Sequence, residues 1–250
     1  MTPEELQDRE SVWARVDSEH PEFTRAHDLT WNYHAVREIV LGGSLSWSGA
    51  HKRFQPRPGT LVMDVGANAG IYSAFCAANG ADVFAYEPDT SIFDILSKMI
   101  ESSGLSQRII SVNAAIWTNT GTLPFVGHSS DIGGCVQYNG AIPNSALPWP
   151  NEKFVAGAPT TCISFDEAID GSQWDCIKMD IEGAEFDVLL SVSKEALRQV
   201  KFMFVELHPW ASDSLYEKLM ERMDDCFVVE GVAPSSSGRW QALYLSRRIS

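Results

Sequence analysis

The chain has 250 residues, and its 33 acidic and 19 basic side chains give it a formal net charge of −14 at pH 7. A protein that binds nucleic acid needs Lys and Arg to neutralise phosphates, so this charge argues against nucleic acid as a partner. No apolar run approaches the length of a membrane span, and the acidic start differs from a signal peptide, so we expect no membrane partner. Five widely spaced cysteines without a C-x-x-C pair indicate reduced thiols and a cytoplasmic protein.

The first 58 residues are expected to form a helical extension that caps the domain after it. Thr2-Pro3-Glu4-Glu5 has the pattern of a capping box with Pro at the first helical position, which predicts a helix. Residues 29–41 carry apolar side chains at helical spacing and end at Gly42-Gly43, which predicts a second helix. The remaining residues, 59–250, are long enough for one α/β domain with a substantial core.

A strand, a tight turn and a helix are predicted over residues 61–78. Residues 61–65 are a short apolar run typical of a buried parallel strand. Residues 66–70 add two glycines that permit tight backbone geometry. Residues 71–78 suit a helix, and its first N–H groups would face a ligand held by the turn. The alternative is that the glycines form a tight turn and nothing more.

The turn departs from the pattern of nicotinamide dinucleotide sites. Such sites need Gly at the first, third and sixth positions so that a pyrophosphate can lie against the backbone. This turn has Gly66, Asn68 and Ile71 at those positions. Asp64, which precedes the turn, would repel phosphates and attract a sulfonium or ammonium group. The stretch therefore suggests S-adenosylmethionine, with a nicotinamide-dependent oxidoreductase as the less favoured alternative.

A second strand is predicted over residues 81–86, and Glu87 follows it. Glu87 comes 23 positions after Asp64, close to the distance at which nucleotide-binding α/β domains have an acid that accepts hydrogen bonds from both ribose hydroxyls. The alternative is a solvated carboxylate at a strand end. Thr90 is expected to cap the next helix, which carries apolar residues at helical spacing and ends at Gly104.

The third strand is predicted over residues 108–112 and is followed by Asn113 and Ala114. Ligands gather at this end of an open parallel sheet, so a polar group there could contact the edge of an adenine. Asn113 is equally suited to forming a turn. A short extra strand is expected over 122–126. Residues 127–160 are rich in Gly, Pro, Ser and Asn, and we expect a long loop that is either mobile or a substrate lid.

Three carboxylates follow the fourth predicted strand, 175–179. They are Asp180, Glu182 and Glu185, and their mutual repulsion costs free energy unless a cation or a hydrogen-bonded ligand lies among them. Glu185 can be explained without a function, because acids are common in the first turn of a helix. We therefore expect Asp180 to be the carboxylate that faces the site.

The fifth predicted strand, 201–205, leads into Glu206 and His208. Alternation along a strand puts these two side chains on the same side. One interpretation makes His208 a general base that Glu206 orients. In another, both side chains and Asp180 hold a divalent cation. We prefer the metal-free base, because no spacing here is diagnostic of a metal; a structural, hydrogen-bonded histidine is the third possibility.

The remaining predicted elements complete the sheet. Residues 161–169 should contain a short strand and a helix that begins at Ser164. A helix that extends to Met223 precedes the last two strands, 226–229 and 241–246, and a loose antiparallel connection joins these strands.

Together the motifs resemble the FkbM family of S-adenosylmethionine-dependent methyltransferases. The resemblance spans roughly residues 60–210, and the Lys-x-Asp-x-Glu-Gly-x-Glu block is its most distinctive part. It rests on the following blocks, in this order: Asp64-Val65-Gly66-Ala67-Asn68-Ala69-Gly70-Ile71-Tyr72-Ser73, Tyr86-Glu87-Pro88, Asn113-Ala114-Ala115 with Gly121, Lys178-Met179-Asp180-Ile181-Glu182-Gly183-Ala184-Glu185, and Glu206-Leu207-His208. Residues 1–55 and the 127–160 loop, which are expected to set substrate choice, match no family pattern.

The resemblance implies a class I methyltransferase fold: a Rossmann-like α/β domain with helices on both faces of a seven-stranded, mostly parallel sheet whose last strand is reversed. It also implies methyl transfer to a hydroxyl oxygen of a small acceptor, such as a sugar or a natural product. The expected cofactor-binding residues are Asp64, Gly66, Ala67, Asn68 and Gly70 around the methionine moiety, Glu87 at the ribose, Asn113 and Ala114 near the adenine, and Asp180.

The expected catalytic residues are Asp180, Glu206 and His208, with the metal-free base preferred and the need for a divalent metal left open. A non-catalytic protein that binds the cofactor is the alternative within the same fold. Such a protein would keep the cofactor residues and lose the second cluster, so the three residues named here argue against it. The acceptor and the oligomeric state stay open.

Overall fold

The computed structural model describes residues 53–128, 134–136, 154–156, 158–208, 213–234 and 241–248. The extension before residue 53 lies outside these residues, so its two helices and its capping role stay predictions. In the described part of the chain, no helix is both long and apolar enough to cross a membrane. The four cysteines whose side chains are described are buried free thiols, and the cytoplasmic location stays a prediction.

Strands and helices alternate along most of the described chain. In chain order they are β1 (Leu61–Val65), α1 (Ile71–Ala78), β2 (Asp82–Tyr86), α2 (Thr90–Ser103), β3 (Ile109–Val112), β4 (Ala115–Trp117), β5 (Gly121–Leu123), β6 (Phe125–His128), β7 (Gly134–Val136), β8 (Phe154–Ala156), β9 (Thr160–Ser164), α3 (Phe165–Ile169), β10 (Cys176–Met179), α4 (Glu185–Ser191), α5 (Lys194–Leu197), β11 (Phe202–Leu207), α6 (Asp213–Asp224), β12 (Phe227–Pro234) and β13 (Gln241–Arg247).

Seven of these strands form the central sheet, in the order β12–β13–β11–β10–β1–β2–β3. β1 pairs in parallel with β2 and β10, and β3 and β11 continue the parallel arrangement on either side. β13 runs antiparallel to both β11 and β12. The topology confirms the predicted class I methyltransferase fold, in which the sheet is mostly parallel and the last strand of the chain is reversed.

The core lies on both faces of the sheet because side chains alternate along each strand. Val62 of β1 belongs to a buried cluster that includes Tyr72 of α1 and Leu96 of α2. Met63 belongs to a second buried cluster, which includes Leu189 of α4. Full burial of a large apolar side chain contributes about 1.5–3 kcal/mol. The two clusters therefore hold β1 firmly between two layers of helices, with its carboxyl end at the middle of the sheet edge.

Side-chain caps set the starts of α2 and α3. The predicted cap of α2, Thr90, is wrong by one residue: the carboxylate of Asp89 accepts hydrogen bonds from two backbone N–H groups of the first turn. Ser164 caps α3 as predicted, since its hydroxyl accepts a hydrogen bond from the N–H of Glu167.

Two small sheets occupy the region of the predicted long loop and the chain beside it. One has the order β4–β9–β5 and the other β7–β6–β8. The single strand predicted over 122–126 is therefore two strands, and the 127–160 segment includes or borders β6, β7 and β8. Strands of three or four residues are too short to reveal an alternating pattern, and β4, β5 and β8 pair with strands that are distant in sequence. The other residues of that segment lie outside the described chain.

β12 is longer than predicted. It continues through Gly231 to Pro234, with a shift in register between Val229 and Gly231. The loose connection that we expected to begin at Gly231 is therefore partly strand.

Candidate active site

The carboxyl ends of β1, β2 and β10 meet at one edge of the sheet. The last residues of these strands are in register, so Gly66, Glu87 and Asp180 follow them at the same level. The N–H group of Asp180 donates to the carbonyl of Val65 over 3.0 Å. Open parallel sheets bind ligands at this edge, and the structure brings the predicted turn and two of the predicted acids together there.

The turn after β1 requires glycine at both ends. Gly66 has a φ of +76°, and a Cβ there would lie 1.8 Å from the backbone oxygen of Asp180. Gly70, which precedes α1, has a φ of +85°, and a Cβ there would lie 2.4 Å from the side chains of Leu96 and Met99. Backbone conformation therefore favours glycine at both positions, and at Gly66 the backbone of Asp180 also leaves no room for a Cβ.

Asn68 and Glu87 join the turn to the end of β2. Asn68 has a φ of +52°, a left-handed conformation that Asn adopts more readily than most residues. Its N–H donates to Oε2 of Glu87 over 2.9 Å, and the N–H of Asp89 donates to Oε1 over 2.8 Å. Burial raises the pKa of Glu87 to about 7, although these two N–H groups oppose the shift. Glu87 is therefore a buried carboxylate held against the turn, and the solvated alternative is wrong.

Asn113 and Ala114 lie where β3 ends. The side-chain amide of Asn113 donates to the carbonyls of Glu87 (2.9 Å) and Pro88 (3.2 Å). These bonds tie the end of β3 to the end of β2 and are not the local bonds of a turn. Ala114 is 1% exposed. A contact between these two residues and an adenine stays a prediction.

Asp64 lies inside the protein and pairs with Lys178 of β10. Oδ1 of Asp64 lies 3.3 Å from Nζ of Lys178, with side-chain exposures of 0% and 3%. The hydroxyl of Ser73 donates to Oδ2 of Asp64 over 2.7 Å. In this arrangement Asp64 has no surface through which to contact a ligand. The structure therefore argues against the direct contact that we predicted between Asp64 and the methionine moiety. Asp64 instead has a positioning role, because its charge holds Lys178 in place.

Lys178 links the turn to Asp180. Its Nζ donates to the carbonyl of Gly66 over 2.7 Å and lies 3.7 Å from Oδ2 of Asp180. Burial alone would lower the pKa of Lys178, but the charges of Asp64, Asp180 and Glu206 raise it above its usual value. The ammonium group therefore stays charged at neutral pH.

His208 lies among the three carboxylates that follow β10. Nδ1 of His208 lies 2.9 Å from Oε1 of Glu185, and Nε2 lies 3.3 Å from Oε2 of Glu182 and 4.0 Å from Oδ1 of Asp180. One atom each from Asp180, Glu182 and His208 lies within 4.8 Å of the others, the spacing of a possible metal site.

Glu185 orients His208, because its Oε1 lies 2.9 Å from Nδ1 of the ring. The orienting role predicted for Glu206, which lies near the end of β11, stays a prediction. The charge of Glu206 also acts on Lys178. Glu185 does lie in the first turn of α4, as predicted, and its contact with His208 gives it a further role that the sequence did not predict. In the divalent-cation alternative, Glu182 takes the position that we expected for Glu206.

Glu182 and Lys178 are the residues of this site that the sequence analysis missed. Glu182 has a φ of +52°, and no local pattern predicts a left-handed glutamate. Lys178 could have been found, because a lysine flanked by Ile177 and Met179 in a buried parallel strand must have a partner of opposite charge.

The three carboxylates favour the protonated form of His208. Burial alone would lower the pKa of His208, but Glu185, Glu182 and Asp180 raise it well above its usual range. His208 in turn lowers the pKa of Glu185, against the effect of burial. An imidazolium cannot accept another proton. The general-base interpretation therefore requires His208 first to break one of its contacts with these carboxylates and lose a proton.

Comparisons with known proteins agree with this geometry. Residues 64–227 match the model of the methyltransferase FkbM domain. The chain is similar to the hexuronic acid methyltransferase AglP of Haloferax volcanii, with 27% identity over 163 residues that cover 64% of this chain and 61% of AglP. It is also similar to the methyltransferase sdnD of Sordaria araneosa, with 22% identity over 189 residues that cover 66% of this chain and 72% of sdnD. The chain thus spans less than two thirds of AglP.

Solved structures share the fold at low identity. The methyltransferase FkbM from Methylobacillus flagellatus KT has a TM-score of 0.53 and 16% identity, over 96% of this chain and 58% of that one. An rRNA methylase from Streptococcus thermophilus has a TM-score of 0.52 and 8% identity, over 82% of this chain and 98% of that one. At such identities the likeness concerns the fold alone. The match to the family model covers more than half of the chain, and the chain therefore belongs to the FkbM family of methyltransferases.

Proposed function

We propose that this methyltransferase transfers the methyl group of S-adenosylmethionine to a hydroxyl oxygen of a small acceptor, such as a sugar or another natural-product-like alcohol. Membership of the FkbM family favours methyl transfer over the nicotinamide alternative. The relative AglP is named for hexuronic acid, which supports a sugar-like acceptor. The strongly negative net charge supports a small molecule over a nucleic acid.

The contact between Glu87 and the N–H of Asn68 carries the cofactor half of the proposal. It brings a buried carboxylate against the turn. The sheet edge therefore offers a group that can accept hydrogen bonds from the ribose hydroxyls and, beside it, a backbone that a ligand can approach closely. The cofactor supplies an activated methyl group on a sulfonium sulfur. The proposed contacts are Gly66, Ala67, Asn68 and Gly70 at the methionine moiety, Glu87 at the ribose, Asn113 and Ala114 near the adenine, and Asp180 toward the sulfonium.

The acceptor half of the proposal rests on the cluster of Asp180, Glu182 and His208. Asp180 belongs to both halves, since it lies 3.7 Å from Lys178 and 4.0 Å from His208. An alcohol is poorly acidic, and carboxylates here can accept a hydrogen bond from its hydroxyl while the oxygen points toward the methyl carbon. Holding the two reactants in line can contribute on the order of 7–11 kcal/mol. Glu206, which we expected in this cluster, keeps a supporting role beside Lys178.

Titration calorimetry and a turnover assay test the two halves separately. S-adenosylhomocysteine should bind with one site per chain, NAD⁺ should not bind, and Glu87→Ala should weaken the binding of S-adenosylhomocysteine. Turnover would be followed by mass spectrometry with a panel of neutral sugars, hexuronic acids, their glycosides and a short RNA. An added methyl group on oxygen, located by NMR, is the expected product.

Three outcomes count against the proposal. Failure to bind S-adenosylhomocysteine at saturating concentration would contradict the proposed cofactor, and so would binding of NAD⁺ in its place. Methylation on carbon or nitrogen removes the hydroxyl acceptor. Binding without turnover across the whole panel favours the alternative of a non-catalytic, cofactor-binding protein.

A further inference from the structure

We infer that Asp180, Glu182 and His208 hold a divalent cation. The role that we give this ion, contact with the acceptor hydroxyl, rests on the proposed function; its binding does not. Nε2 of His208 lies 3.3 Å from Oε2 of Glu182 and 4.0 Å from Oδ1 of Asp180. All three ligand atoms lie within 4.8 Å of one another. Adjacent ligands of a six-coordinate Mg²⁺ or Mn²⁺ are about 3 Å apart, so small side-chain rotations would close the site around an ion.

Glu185 prepares His208 to act as a ligand. The Nδ1–H of His208 donates to Oε1 of Glu185 over 2.9 Å, so Nε2 faces the cluster and would bind the ion in exchange for its proton. The same oxygen accepts hydrogen bonds from the N–H groups of Ile181 (3.0 Å) and Gly183 (3.2 Å), so the carboxylate is itself fixed. Histidines that bind metals almost always donate their other ring N–H to a carboxylate, a carbonyl or a water. His208 is also 92% buried, with a side-chain exposure of 8%.

Among the described residues, carboxylates outnumber cations around this cluster. Three carboxylates surround His208, and Lys178 lies closer to Asp64 (3.3 Å) than to Asp180 (3.7 Å). Glu185 is fully buried, and its Oε2 has no hydrogen-bond partner among the described residues. Neighbouring carboxylates repel one another, and an ion of charge +2 between Asp180 and Glu182 would offset this repulsion.

The cluster leaves room for the acceptor. The side chains of Asp180 and Glu182 are 24% and 28% exposed, so the ion would face the cleft on one side. Three protein ligands leave three positions of an octahedral ion for water or substrate. A hydroxyl bound there loses its proton more easily, because a divalent cation stabilises the alkoxide. An acceptor with two neighbouring oxygens, as in a vicinal diol or a hydroxy acid, could bind through both.

Binding of Mn²⁺ to the full chain tests the inference without any need for turnover. Protein freed of metal by chelator would be titrated with Mn²⁺, with unbound ion followed by electron paramagnetic resonance, and with Zn²⁺ in a parallel calorimetric titration. We expect one site per chain for at least one of the two ions. Glu182→Gln and Asp180→Asn should each weaken binding at least tenfold, since each removes a ligand. Asp187→Asn, an exposed acid of α4, is the matched control and should change binding less than twofold.

Two results would overturn the inference: no site for either ion tighter than millimolar, or equal binding by the wild type, both cluster variants and the control. A thermal melt of each variant, with binding of S-adenosylhomocysteine by Glu182→Gln and Asp187→Asn, establishes that the fold is intact. The outcome is separable from the proposed function. Full turnover by chelator-treated protein would contradict the role of the ion in catalysis and leave the proposed methyl transfer intact. Specific Mn²⁺ binding without turnover on any acceptor would support the ion site and contradict the proposed function.

Discussion

Protonation of Glu87 should weaken the binding of S-adenosylhomocysteine about tenfold between pH 8 and pH 6. Glu87 already accepts two backbone N–H groups, and two ribose hydroxyls would bring the donors to four. An ionised carboxylate has about four acceptor sites, whereas a protonated one loses a site and adds a hydrogen that needs an acceptor. The ligand therefore competes with a proton at a group whose pKa burial raises to about 7.

The magnitude follows from that pKa. The protonated fraction is about nine tenths at pH 6 and one tenth at pH 8, so the apparent dissociation constant changes by about tenfold, or about 1.4 kcal/mol. The sign is fixed: affinity rises with pH up to about pH 8 and then levels off. Calorimetric titrations at half-unit steps between pH 5.5 and 8.5 measure the curve.

Glu87→Gln should bind more weakly at pH 8 and lose this pH dependence, because the amide does not titrate in the range. Glu101→Gln, an exposed glutamate in α2, is the matched control and should keep the wild-type curve. Equal slopes for wild type and Glu87→Gln would refute the assignment of Glu87 to the ribose hydroxyls.

Three further changes test other parts of the site. Gly66→Ala pushes a Cβ into a backbone carbonyl and should lower the free energy of unfolding, measured by urea titration, by more than about 2 kcal/mol. The control Gly104→Ala has a similar φ and open space around it, and it should lower the free energy of unfolding by about 1 kcal/mol. Equal losses would mean that the close contact at Gly66 is unimportant. His208→Ala should abolish methyl transfer while the affinity for S-adenosylhomocysteine stays within about twofold, and undiminished turnover would exclude a catalytic role. Lys178→Met leaves the buried carboxylate of Asp64 without its counter-charge and should destabilise the protein by about 3–5 kcal/mol. Adding Asp64→Asn to the same chain should recover part of that stability in thermal melts. No recovery would argue against the Asp64–Lys178 ion pair.

The strands of the central sheet were predictable because their signal is local. β1, β10 and β11 are apolar runs that end at polar residues, and each predicted range lies within two residues of the observed one. Gly66 and Gly70 were predicted to permit close approach, and the structure gives the reason at each position. The small strands β4 to β8 left no comparable pattern, because each has only three or four residues.

Side-chain partners at the strand ends were harder to predict. Alternation assigned Glu206 to His208, whereas the contact that the structure gives to Nδ1 of His208 comes from Glu185. Glu185 reaches His208 only because the chain turns between Asp180 and α4, with a left-handed Glu182 in between. A sequence lists the acids of such a segment correctly, yet backbone torsions decide which of them faces which neighbour.

The lysine amine that bonds to the first glycine carbonyl and faces two aspartates has a consequence for how this enzyme can diversify. In the proposed function, the cofactor site and the acceptor site both contact this one lysine, so mutations that adapt one site would disturb the other. Selection for a new acceptor, natural or in the laboratory, should therefore spare the sheet edge and accumulate in segments that pack around it.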